Sequence, residues 1–176
     1  MKAVAIFCGS RTGLNPLFES HTRELGAILA KHGITIIYGG GNKGLMAAVA
    51  NASLEAGGKV IGIIPQLLTD FEHQHHGLTE LTVVDTMHTR KQMLYERSDA
   101  AIILPGGYGT LDEVFEMLTW NQLSIHNKKI FFLNSGGFYD HLIAHIAEMH
   151  KEGFLYDHPD EKMTILKEPA DIINYL

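Results

Sequence analysis

Cysteine is nearly absent from this chain. One thiol, Cys8, among 176 residues excludes an internal disulfide and suits a reducing compartment, so a cytoplasmic setting is expected. Positive charge is also short: 14 Lys and Arg stand against 20 Asp and Glu, a formal charge of -6, which argues against a nucleic-acid backbone or an anionic membrane as the main partner. No apolar run approaches membrane-spanning length, and the chain opens on a strand-like run, residues 2–8, without the pattern of a cleaved leader. Repeats, low-complexity tracts and linkers are lacking. A length of 176 residues predicts one domain, 1–176, with a substantial core.

What is present alternates. Short apolar runs at 3–8, 34–38, 59–64, 81–85, 100–104, 130–134 and 163–166 read as buried strands. Helical patterns separate them, the first opening at Asn15-Pro16 as cap and first helical residue, the last at Pro169. This order implies an α/β fold: a doubly wound, mainly parallel, Rossmann-like sheet flanked by helices in a single domain. Ligands of such sheets bind beyond the carboxyl ends of the strands, at the switch point. Three glycine-bearing loops, 9–13, 39–44 and 106–109, fall at those ends.

The loop at 39–44 fits G-x-G-x-x-G through Gly39, Gly41 and Gly44, but the next strand ends in Pro65-Gln66 with no acid to hold a ribose, so a nicotinamide dinucleotide loses its main support. A Walker loop fails because Leu45 stands where a lysine is needed. The loop at 106–109 is richer. Gly106, Gly107 and Gly109 allow positive φ and close backbone approach, so several N–H groups can converge on one point, with Thr110 as the expected helix cap, and such a helix start favours a phosphate. In the helix that follows, Leu111, Val114, Phe115 and Leu118 form the predicted core stripe, leaving Glu113, Glu116 and Trp120 on the opposite face. Asp112 and Glu113 fit two roles, addressing a ligand or simply complementing the helix dipole.

Upstream, residues 87–98 read as a helix with Met87, Leu94 and either Met93 or Tyr95 inward. Arg90 and Lys91 near its start oppose the dipole, as a pair that grips phosphate or carboxylate, or as a solvated surface pair. Cys8 reads most simply as core packing. The irregular stretch holding Glu72, His73, His75 and His76 lacks a second ligand group at metal spacing and is expected to be a flap over a pocket. His141 and His145 are i and i+4, with no glutamate after His141 and no third ligand nearby, and read as surface residues.

Taken together, Cys8-Gly9-Ser10, Tyr38-Gly39-Gly40-Gly41 with Gly44-Leu45-Met46, Met87-His88-Thr89-Arg90-Lys91, and Pro105-Gly106-Gly107-Tyr108-Gly109-Thr110-Leu111-Asp112-Glu113 closely resemble the Lonely Guy (LOG) family. These are cytokinin riboside 5'-monophosphate phosphoribohydrolases, often mislabelled lysine decarboxylases. The resemblance implies hydrolysis of the N-glycosidic bond of a purine riboside 5'-monophosphate, AMP included, to free base and ribose 5-phosphate. It places Arg90 and Glu113 at the catalytic positions. It assigns Glu72, Lys91, Gly107, Tyr108, Gly109, Thr110, Leu111, Asp112 and Thr119 to the nucleotide site, with Arg90 and Glu113 contacting substrate too. No metal or cofactor is implied, and no lysine sits in a Schiff-base setting for a pyridoxal group. Two departures stand out: Arg11 where many members have serine, and Ala47 where glycine commonly follows Gly-Leu-Met.

A carboxylate at Glu113 facing C1' would meet the oxocarbenium character of such a reaction, while Glu116, one turn on, could orient it or serve the sugar hydroxyls. An alternative is a non-catalytic nucleotide or cofactor carrier on the same scaffold, as in molybdenum-cofactor carrier proteins. It would have no use for an Arg90/Glu113 pairing. A single-strand DNA-binding module fits poorly with the acidic charge. Trp120 on a non-core face predicts a homodimer in which this helix meets its twin, the other readings being that Trp120 lines the pocket or tucks under a loop.

Overall fold

The apolar runs become seven strands: β1 (Ala3–Phe7), β2 (Thr35–Tyr38), β3 (Val60–Pro65), β4 (Glu80–Val84), β5 (Ala100–Ile103), β6 (Lys129–Leu133) and β7 (Met163–Leu166). The structure, a computed structural model, describes residues 1–69 and 74–176. Between the strands run α1 (Pro16–Lys31), α2 (Gly44–Glu55), α3 (Met87–Glu96), α4 (Tyr108–Gln122), α5 (Asp140–Lys151) and the short α6 (Pro159–Lys162).

The strands form one sheet in the order β4-β3-β2-β1-β5-β6-β7, every adjacent pair parallel. The chain winds outward from β1 to β4, then crosses back to lay β5 on the other side of β1. The crevice between the ends of β1 and β5 is therefore the switch point. Period-2 alternation divides β1 between two cores. Val4 and Ile6 join Leu25 and Leu29 of α1 and Val49 of α2; Ala5 and Phe7 join Leu94 of α3, Val114 and Met117 of α4 and Ile146 of α5. With apolar residues needed on both faces, the central strands show no polar alternation, which is why they read as plain apolar runs.

Helix ends follow local chemistry. Asn15 caps α1, its Oδ1 accepting from Leu17 N at 3.0 Å, with Pro16 following as predicted. Thr86 caps α3 by accepting from Thr89 N at 3.1 Å. The apolar pattern after β6 predicts a helix from Phe138, but α5 starts two residues later, at Asp140, because Gly136 and Gly137 take φ of 58° and 74° in a 3-10 turn. The C-terminal segment Pro169–Tyr175 is likewise 3-10, closed by a reciprocal cap between Glu168 and Asp171. Among the described residues no helix is long and apolar enough to cross a membrane.

Two packing expectations are corrected. Met87 is not inward: α3 buries Arg90, Leu94 and Tyr95 instead. On α4 the fully buried set is Thr110, Val114, Met117 and Asn121, so of the predicted stripe only Val114 is wholly buried. Leu111, Leu118 and Trp120 pack partly buried against the same core. The rotation comes from α3, whose Tyr95 takes the Trp120 ring edge-on at 4.8 Å, drawing inward a residue placed on the outer face.

Candidate functional site

Three loops are sewn together at the switch point. Gly9 N donates to Pro105 O at 3.0 Å, Leu104 N to Phe7 O at 2.9 Å, and Leu45 N to Gly9 O at 3.1 Å. The approach is close enough that a Cβ on Gly44, which has φ 56°, would collide with the backbone of Arg11. On the side of β6 and β7, His21 of α1 fastens the following segments: its Nδ1 lies 3.0 Å from Ser135 Oγ after β6, and its Nε2 3.3 Å from Glu168 Oε2 after β7.

The start of α4 departs from expectation in a way that defines its use. Gly106, Gly107 and Gly109 do not take positive φ. Gly106 is required because a Cβ there would strike Thr110 Oγ1. Thr110 is therefore not the cap but a buried residue, 4% exposed, behind the loop; the N-cap is Gly107, with no side chain among the described residues capping it. A Cβ on Gly107 or Gly109 would meet no described atom within 4 Å. The first turn of α4, exposed at 107–109 and without a side-chain cap among the described residues, has N–H groups that no intrahelical carbonyl takes, the condition for holding an anion. Beside it lies a cavity of about 230 Å³ between Gly9, Phe18, Leu45, Gly106 and Phe138, with the exposed Arg11 at its mouth.

Arg90 and Lys91, adjacent on α3, diverge. Arg90 is 6% exposed and lies along Gly39, where a Cβ would collide with its guanidinium. Lys91 turns to α4, its Nζ 2.7 Å from Glu116 Oε2 and 3.2 Å from Asp112 Oδ2. Burial lowers the Lys91 pKa, but the hydrogen bonds it donates to Glu116 and Asp112 outweigh that and hold the ammonium above the ordinary lysine value. Tyr95 donates to Glu116 Oε2 at 3.0 Å and to the main-chain oxygen of Glu113 at 3.3 Å. Burial, then the Glu116 charge, pushes its phenol well above the ordinary tyrosine range. This seam sets the turn of α3 carrying Arg90 against the turn of α4 carrying Glu113, which is half-buried.

Lys91, Tyr108, Leu111, Asp112 and Thr119 all border one wide-mouthed concavity of about 470 Å³ on the outer flank of α3 and α4, together with Phe115, Glu116 and Trp120. Gly107 belongs to the deeper cavity at the switch point, and Tyr108, 95% exposed, stands between the two. Phe115 is the lining residue that periodicity misassigns to the core. Tyr95, one of two alternatives for an inward position on α3, is buried as that alternative has it, but its bonds to Glu113 and Glu116 leave no signal beyond its place one turn after Lys91. Glu72 and His73 lie outside the described residues.

The neighbouring histidines are accounted for. His75 is 8% exposed, its Nε2 2.9 Å from Asn51 Oδ1 and its Nδ1 accepting from Gly77 N at 3.0 Å. Burial, then the charge of His76, lowers its pKa. His75 N also donates to Gly40 O at 3.0 Å, and Gln74 pairs with Gly41, so the end of the expected flap is pinned to the turn after β2. His141 and His145 are exposed on α5.

Against known proteins, the sequence profile of a family described as "Possible lysine decarboxylase" matches residues 46–176. A cytokinin riboside 5'-monophosphate phosphoribohydrolase of Rhodococcoides fascians is 40% identical over 168 residues, covering 95% of this chain and 85% of that protein. One from Arabidopsis thaliana is 39% identical over 169 residues, covering 96% and 78%. Among solved structures, the molybdenum cofactor binding protein of Rippkaea orientalis superposes with a TM-score of 0.74 at 22% identity, over 99% of this chain and 94% of that one, a likeness of fold.

Proposed function

The chain belongs to the family of cytokinin riboside 5'-monophosphate phosphoribohydrolases described as possible lysine decarboxylases, and from that premise we propose that it hydrolyses the N-glycosidic bond of purine riboside 5'-monophosphates, AMP among them. The observation that carries the site assignment is the open glycine turn, Gly107 and Gly109, at the start of the helix that bears Glu113.

In this reading the 5'-phosphate sits on the exposed N–H groups of the first turn of α4, with the Arg90 guanidinium, fixed against Gly39, gripping phosphate and ribose. Glu113 faces C1'. As the C1'–N bond breaks, its electron pair leaves with the base, positive charge spreads over C1' and the ring oxygen, and the Glu113 carboxylate stabilises that charge and takes a proton from the attacking water. Water delivers its oxygen to C1', giving ribose 5-phosphate and, once protonated, the free base. Lys91, Tyr108, Leu111, Asp112 and Thr119 flank the nucleotide from the outer concavity, with Glu72 closing the set.

The breadth of that concavity and the half-buried Trp120 on its wall support a homodimer in which a second copy covers this flank. A single thiol, half-buried in the structure, supports a cytoplasmic setting. The carrier alternative draws on likeness of fold alone.

Incubating the purified chain with AMP and with isopentenyl-adenosine monophosphate, and resolving free base by chromatography, tests the reading. Glu113→Ala should lower base release about a thousandfold, as loss of a centre that stabilises developing charge does. Base release that survives this substitution overturns the mechanism, and tight AMP binding by the wild type without base release establishes the carrier instead. A light-scattering mass of one chain would remove the dimer.

A further inference from the structure

Arg90 and Glu113 stand on different helices, so their separation depends on whatever holds α3 to α4 at their level. A linked group of side chains contributes to this. Tyr95, 3% exposed, shares its hydroxyl proton between Glu116 Oε2 at 3.0 Å and the main-chain oxygen of Glu113 at 3.3 Å. The same Glu116 oxygen receives the Lys91 ammonium at 2.7 Å. One carboxylate oxygen of α4 is thus held by two donors of α3, and one of those donors also touches the peptide of Glu113. The Tyr95 ring is fixed in turn, edge-on to Trp120 at 4.8 Å and to Phe7 at 6.3 Å. Its peptide oxygen, at the end of α3, accepts a hydrogen bond from Lys128 Nζ.

We propose that Tyr95 and Glu116 are positioning residues for hydrolysis, fixing the turn of Glu113 at a set offset from Arg90. The inference rests on the reading of Arg90 and Glu113 as the catalytic pair. Tyr95 is closed to solvent and touches no substrate; it acts through the Glu113 peptide and the Glu116 carboxylate. Misplacing a reacting group by about 1 Å can cost about a hundredfold in rate, so a seam that removes even part of that freedom has a measurable effect. Apolar packing resists separation of helices but tolerates small slides. Directional hydrogen bonds resist the slide itself.

Tyr95→Phe removes the hydroxyl and keeps the ring contacts; Glu116→Gln keeps an acceptor and removes the charge. Each variant, and the two combined, would be assayed for kcat and KM on AMP and for Tm, using the full chain. The expected result is a fall in kcat of about tenfold for each single variant, with KM within about twofold, the signature of a lost transition-state arrangement. Because the two side chains form one unit, the double variant should be no more than about twofold slower than the slower single one. Tm should move by only a few degrees. Wild-type kcat in Tyr95→Phe, a loss confined to KM, or losses that multiply in the double variant would each overturn the inference while leaving the reaction intact. A wild type that releases no base would overturn both.

Discussion

At the turn after β2, glycine makes room for the protein itself: Gly39 for the Arg90 guanidinium, Gly40 at φ 77° for the chain reversal, Gly44 for the backbone of Arg11. At the turn after β5 only Gly106 is hemmed in, by Thr110, while Gly107 and Gly109 look onto open space. Both turns satisfy the same composition rule, and neither motif says which glycines are filled from within. A glycine pressed by protein atoms is explained by the fold; one facing open space at a helix start leaves a place for a ligand to approach the backbone. The G-x-G-x-x-G at 39–44 is thus filled from within, whereas the turn at 106–109 leaves Gly107 and Gly109 open.

Substitution by alanine can break or sharpen this contrast. The largest effect is expected from Gly44→Ala, where a positive φ and a backbone collision act together; about 3 kcal/mol of stability should be lost, visible as an earlier denaturant midpoint at unchanged m. Gly39→Ala should spare stability, because the obstructing atom is the movable end of a side chain, yet displace Arg90 and lower kcat/KM for AMP about a hundredfold. Equal losses of stability and activity there would show that Gly39 serves folding rather than Arg90. Gly107→Ala should leave Tm within about a degree or two, since φ of -102° suits alanine and nothing described crowds it, while raising KM about tenfold by placing a methyl in ligand space.

The smallest effect concerns pH. His75 pins the segment before β4 to the turn after β2, and burial lowers its folded pKa below the unfolded value. The unfolded chain therefore binds the proton more readily, so this contribution to stability is complete above the ordinary imidazole pKa and is lost as pH falls below it. Tm should decline modestly from about pH 7 to about pH 5, and His75→Gln should flatten that decline.

Much of the fold could be read from the chain because the strands must be apolar on both faces; residues 163–166 come out as β7 to the residue. The glycine turn and the Arg90-Lys91 pair were equally plain as local patterns. Orientation was not. The 3.6-residue period turned α4 to bury Leu111, Val114, Phe115 and Leu118, and what rotates it is Tyr95, a residue 16 positions before Leu111 that no local pattern ties to it. The fate of Lys91, drawn into Asp112 and Glu116, depends on the same long-range packing, as does Thr110, which looked like a cap until Gly106 gave it a place to sink behind the loop.

His21, bridging Ser135 and Glu168, stands three residues from Phe18, as Ser135 does from Phe138, and both rings line the switch-point cavity, so the bridge bears on energetics rather than shape. The segments after β6 and β7 are already stapled to α1, so a molecule arriving on that side finds walls with little motion left to freeze. Its association there costs its own tumbling freedom and scarcely any of the protein's.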